Sequence, residues 1–217
     1  MTWRALALAA VLPACAPVPP QVGAPAPVLG DAAAERAWQQ ALDRATARAE
    51  IYAGLDTRLF VAATHQSTAF RAARTRRLAA FEDWSGEALQ AALSRELEEA
   101  ETTNDFMVGV YVPDRRVADL DGKDSAWRLA LELPGGVEIL PGAVERLGRG
   151  SLQRRALYPW LGDFWVAYRV RFPRQLPGGG DGWLEGRPGF VLKVASTLGQ
   201  ARLRWSPGAA EGGRDGR

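Results

Sequence analysis

One cysteine and one histidine limit the side-chain chemistry open to this chain of 217 residues. Cys15 follows Leu12-Pro13-Ala14 at the end of the apolar run Ala5 to Leu12. With no second cysteine it cannot close a disulfide within the chain, so its thiol is left for modification or stays free. His65 would have to serve any Ser-His-Asp triad. Ser67 lies two residues on, but no G-x-S-x-G elbow or other nucleophile signature is present. His65 therefore reads as a polar residue ending a strand. A zinc site of the usual kind needs about four nitrogen or sulfur ligands, which one His and one Cys cannot supply. Asp119, Asp121 and Asp124 place carboxylates as a calcium loop does. Against calcium, Gly122 comes directly after the second Asp, Lys123 adds positive charge, and no Glu closes the loop. The same residues suit a turn between strands. In Tyr158-Pro159-Trp160-Leu161-Gly162-Asp163-Phe164-Trp165, alternation turns Phe164 inward. It leaves Trp160 and Trp165 to face out, where they could stack on a sugar or anchor a partner, or else cover the core edge. The glycine-rich run 177–182 lies between strands, not before a helix, and is no phosphate cradle. No motif implies a cofactor.

The amino-terminal residues divide as a secretory signal does: Arg4 supplies charge, Ala5 to Leu12 the apolar stretch, and small residues follow. The stretch is far short of the ~20 residues needed to span a bilayer. Leu12-Pro13-Ala14-Cys15 resembles the lipobox of bacterial lipoproteins, with Pro13 a departure from its usual second position. The resemblance implies that residues 1–14 are removed as a signal peptide and that Cys15 is acylated. An ordinary signal peptidase would have to cut after Ala16 or Ala26, and proline follows both (Pro17, Pro27). Several acyl chains make a stable tether where one is marginal. Ala16 after the acylated cysteine, rather than Asp, implies the outer membrane by the family's common sorting rule. Residues 16–30 hold five prolines and no charge, the composition of a semi-rigid polyproline spacer. Residues 206–217 are mostly Gly, Ala and charge, a composition that predicts a disordered tail.

Residues 31–205 must then form the globular domain. Asp31 can cap a helix in which Trp38, Leu42, Ala45, Ala49 and Tyr52 share one face, with Gly54 as its stop. Leu59 to Thr64 reads as a buried strand. Two helices follow, one from Ser67 or Thr68 to Phe81 and one from Ser85 to about Glu101. The first is rich in arginine and the second in glutamate, so a hairpin would let them neutralise each other. From Asp105 the period falls to two. Phe106, Val108, Val110 and Val112 alternate, as do Trp127 to Leu133, Phe164 to Phe172, and Phe190 to Val194. The last of these leads through Leu198-Gly199 into Ala201, Leu203 and Trp205. This pattern predicts an α+β domain: an antiparallel sandwich or open barrel with an N-terminal helix and a helical insertion at about 67–102.

The formal net charge is only +2, and removal of Arg4 with the signal lowers it further. Such balance argues against general nucleic-acid binding, which needs a basic surplus. The segments DLDGKDSAWRLALEL, WLGDFWVAYRVRFP and LGQARLRW are similar to those of uncharacterised lipoproteins of Gram-negative bacteria, a resemblance that brings no active-site residues with it. The expected role is a non-catalytic, lipid-anchored periplasmic protein that binds a protein partner or supports an envelope assembly. The alternatives are a binding module for a glycan or lipid and, behind it, a hydrolase.

Overall fold

The computed structural model describes residues 30–114, 117, 119–175 and 182–206. Cys15, the signal, almost all of the spacer and the tail beyond Ser206 lie outside the described residues.

The chain runs α1 (Ala32–Ala45), β1 (Thr46–Ala53), β2 (Asp56–His65), α2 (Thr68–Glu82), α3 (Gly86–Thr102) and β3 (Thr103–Tyr111). It continues through β4 (Arg128–Glu132), β5 (Glu138–Ile139), β6 (Ala143–Arg149), α4 (Leu152–Leu157), β7 (Val166–Pro173), β8 (Phe190–Ser196) and β9 (Gly199–Trp205). One sheet has the order β1-β2-β3-β7-β6 and the other β5-β4-β8-β9, with every pairing antiparallel. The sheets do not close into a barrel. The fold is α+β, with the N-terminal helix and the helical pair between β2 and β3 that the sequence predicts.

Alternation explains the layering. Phe106, Val108 and Val110 of β3 join Tyr168, Val170 and Phe172 of β7 against Leu129, Leu131, Leu192, Val194 and Leu203 of the second sheet. The intervening β3 residue Met107 and β7 residue Ala167 point the other way, into a second core under the helices with Trp38, Leu42, Phe70, Leu157 and Leu161. Strands apolar on both faces belong in a sheet covered on both sides. The second sheet is covered on one side only. Its other face carries charged pairs such as Arg202–Glu132 at 2.7 Å, with Glu138 between Lys193 and Arg128.

Three elements depart from the sequence reading. The first helix stops at Ala45, and residues 46–53 form β1. Ala47, Ala49 and Ile51 fit a period of two and face the inter-sheet core, and the ladder with β2 runs from Thr46↔Thr64 to Ala53↔Asp56. Gly54, at φ 63°, makes the hairpin turn instead of a helix stop. Phe164 is not inward: it is 62 % exposed, because β7 begins only at Val166. Finally, β6 and α4 occupy a stretch without clear periodicity. Ser151 caps α4 through its hydroxyl, which accepts the Arg154 N–H at 3.2 Å.

The helices are placed by charge as well as by apolar contact. Asp31, Ser67 and Ser85 cap α1, α2 and α3. Arg77, buried on α2, pairs with Glu35 of α1 at 2.8 Å and lies 4.9 Å from the ring centres of Trp38 and Phe81. Arg71, one turn and a half earlier, is 2 % exposed. It pairs with Glu96 at 2.9 Å and Glu99 at 3.2 Å on α3, and with Asp105 at 2.9 Å on β3. The arginine-rich and glutamate-rich helices thus do neutralise each other.

Candidate functional site

The two helical layers leave a gap over the outer face of the first sheet. There α2 and α3 form one wall, α4 the other, and β3 and β7 the floor, enclosing an open groove of about 430 Å³. Leu78 and Trp84 lie on the α2–α3 side, Leu157 on the α4 side and Met107 at the floor. Among them stand four arginines: Arg74, Arg95, Arg154 and Arg169.

Their partners differ. Arg74 of α2 bonds Glu96, the Gln66 side-chain oxygen at 2.6 Å and the Tyr158 hydroxyl at 3.3 Å. Burial works against its cation, but Tyr158 and Glu96 outweigh that and raise its pKa. Glu96 and Glu99 are likewise held by Arg71 and Arg74. The other three arginines have no carboxylate within ion-pair distance among the described residues. Arg95 donates only to the Ala91 carbonyl at 3.4 Å. Arg154 donates to the carbonyls of Leu147 at 3.2 Å and Arg149 at 3.0 Å, which also blunts the β6 edge. Arg169 is half-buried in β7, opposite Met107 on one side and Glu145 on the other. The Glu145 carboxylate, however, reaches Arg171 at 3.7 Å.

The residues singled out from the sequence lie elsewhere. Trp160 and Trp165 are half-buried and pack on the helix-side core, their ring centres 6.2 Å apart. Trp160 is pinned by its indole N–H, which donates to Thr64 Oγ1 at 3.1 Å. Its ring lies directly over Gly109 of β3, where a Cβ would run into it, and Leu161 and Trp165 close the space at 3.2 Å. Gly109→Ala is therefore expected to destabilise the domain by about 1–3 kcal/mol, because the crowded rings cannot move apart without breaking the Thr64 bond. Thermal unfolding checks this, and an unchanged midpoint would show that the rings shift freely.

Asp119, Asp121 and Asp124 do not assemble into an ion cage. Among the described residues no three His, Cys, Asp or Glu side chains gather as metal ligands. Asp119 Oδ2 folds over Gly122 instead, Asp121 and Asp124 are exposed, and two successive turns run through Gly122 and Ser125. The loop is anchored by apolar contact, with Leu120 in the inter-sheet core, and by the Trp127 indole, which donates to the Val117 carbonyl at 2.7 Å.

His65 ends β2, as the sequence predicts, but it is buried. Its ring centre is 5.1 Å from those of both Phe106 and Phe190. Burial, and then the charge of Arg71, push its pKa down to about 3, so it is neutral at ordinary pH.

The groove arginines were harder to find from sequence. Arg169 stands out as a cation alternating with core residues on a strand. Nothing local tells that the helices stop short of covering it. Among the described residues no helix is long and apolar enough to cross a membrane. Comparison with protein-family models, with curated proteins and with solved structures returns no match to this chain.

Proposed function

We propose that this is a lipid-anchored protein of the bacterial envelope, tethered through Cys15, whose folded domain binds a protein partner in the groove between α2–α3 and α4. The observation that carries the binding half of this reading is the groove itself: apolar side chains beside three cations without carboxylate partners among the described residues. Protein interfaces combine an apolar centre with polar groups at the rim, and arginine is over-represented in them. Among the described residues the space between the sheets is filled. Leu131, Leu192, Leu203, Tyr168 and Val170 fill it at full burial, which disfavours a lipid or glycan held there.

Two measurements test the two halves. Cys15→Ser is expected to move the protein from the membrane fraction to the soluble fraction, and the wild-type mass is expected to carry acyl chains on a chain starting at residue 15. An unmodified chain starting at residue 2 or 16 would remove the tether. For the groove, a photo-crosslinking residue at Gln153 in the native envelope is expected to capture one protein of defined mass. The same residue at Arg204, on the outer face of the second sheet, is expected to capture none. Equal capture at both positions, or at neither, counts against the groove.

A further inference from the structure

Resting on that reading, we propose that the groove takes an acidic, extended peptide segment of the partner, its carboxylates meeting Arg95, Arg154 and Arg169 and an apolar side chain covering Leu78 and Trp84. The case begins with Arg169. The buried or half-buried Arg71, Arg74, Arg77, Arg155 and Arg202 all pair with carboxylates. Desolvating a cation without a counter-charge is unfavourable. Arg169 is nevertheless set half-buried in the groove floor, and the nearest cross-strand carboxylate, Glu145, is turned to Arg171. Arg95 and Arg154 face the same groove from α3 and α4 with only carbonyl partners.

Acidic side chains also stand at the groove. At its rim the exposed Glu82 accepts from the Gln153 amide and the Trp84 indole, both at 2.8 Å. Glu96 and Glu99 are the acidic side chains lining the groove, and both are engaged by Arg71, with Arg74 also on Glu96. They lie on the α3 wall with Arg95, whereas Arg154 on α4 and Arg169 on β7 have no acidic side chain of their own element lining the groove. This asymmetry gives a bound segment a register as well as an attraction. The apolar residues decide between a peptide and a bare anion. A phosphate group would satisfy the guanidiniums but leave the half-buried Leu78 and Trp84 uncovered, whereas a segment mixing Glu or Asp with Leu meets both.

The test uses the full chain in neutral detergent and a fluorescein-labelled hexapeptide alternating Glu and Leu, read by fluorescence polarisation. Binding that weakens as salt rises is expected. Arg169→Gln and, separately, Arg95→Gln are each expected to weaken binding roughly tenfold, the scale of one charge-assisted contact. Arg95 is exposed on α3, so its replacement leaves the fold intact and guards against a folding defect at Arg169. Arg204→Gln is the control expected to bind as wild type. A Lys-Leu hexapeptide that binds as well as the acidic one would overturn the proposal. So would wild-type affinity in both groove variants, or displacement of the peptide by phosphatidylglycerol but not phosphatidylcholine micelles, which would assign the cations to an anionic lipid. If Gln153 crosslinks a partner but the acidic peptide does not bind, the acidic chemistry fails and the groove reading survives. If neither occurs, both fail.

Discussion

Arg71→Met is expected to destabilise the domain by about 3–5 kcal/mol, the usual cost of breaking a buried ion pair from one side. Arg71 is the group on which three elements converge. Its Nε donates to the Gln66 carbonyl at 3.0 Å, at the junction of β2 and α2. Its two terminal nitrogens reach Glu96 and Glu99 of α3 and Asp105 of β3. Methionine fills most of the volume but leaves Asp105, 4 % exposed, without a counter-charge, and its remaining Thr103 hydroxyl bond at 2.7 Å does not neutralise it. Glu96 keeps Arg74, so the loss is concentrated on Asp105. The double variant Arg71→Met/Asp105→Asn is therefore expected to recover part of the loss, since it removes the orphaned charge. Arg71→Lys should recover little, because one ammonium cannot reproduce the planar fork across three elements. Urea unfolding measures all three. A single variant that unfolds at the wild-type midpoint would show that the cluster contributes nothing net. Failure of the double variant to improve on the single one would place the loss in packing instead of charge.

How much of this was legible in the sequence depended on whether the deciding contact was local. The caps at Ser67 and Ser85 sit beside the helices they start, and both helices were readable. The alternation from Phe106 onward is a property of single strands, and its inward residues Phe106, Val108 and Val110 do line the inter-sheet core. Residues 46–53 were misread because alanine is apolar at either period. Ala45, Ala49 and Tyr52 continue a helical stripe, while Ala47, Ala49 and Ile51 make a strand face. Only the ladder with β2, a non-local contact, decides between them. β6 escaped for a related reason. It is an edge strand, Val144 joins one core and Leu147 the other, and a bulge between Arg146 and Gly148 interrupts the alternation. The groove lies furthest from local sequence. Arg95, Arg154 and Arg169 are 59 and 15 positions apart along the chain and meet only because α4 stops short of α3. The pairing of Arg71 and Arg74 with α3 was readable as opposite charge on neighbouring helices. The absence of such a pairing at Arg169 was not.

The second large effect is acid sensitivity traceable to His65. In the folded domain the imidazole binds a proton only near pH 3, against its ordinary value of 6.5 in an unfolded chain. Between those values the unfolded chain binds the extra proton and the native one does not, so stability falls as pH falls. Above 6.5 both states are neutral and the group adds no slope. At pH 4.5 the loss from this residue is expected to be about 2.5 kcal/mol relative to pH 7, rising to about 4 kcal/mol at pH 3. Carboxylates titrate in the same window, so the useful quantity is the difference between wild type and His65→Leu. Leucine suits the aromatic surround of Phe106 and Phe190 and carries no proton. Chemical denaturation at pH 7 and pH 4.5 is expected to show the variant losing about 2.5 kcal/mol less than wild type over that interval. Parallel losses would mean that the imidazole titrates normally and is reached by water. The two predictions are also coupled through Arg71, whose charge is the second cause of the lowered pKa. Removing that cation lets the histidine accept a proton at higher pH in the folded state. The part of the acid slope due to His65 should accordingly end at a higher pH in Arg71→Met than in wild type, even though the variant is less stable throughout. A purely structural role for Arg71 lowers stability without moving that endpoint, so titrating His65 by NMR in the two proteins separates its charge from its packing.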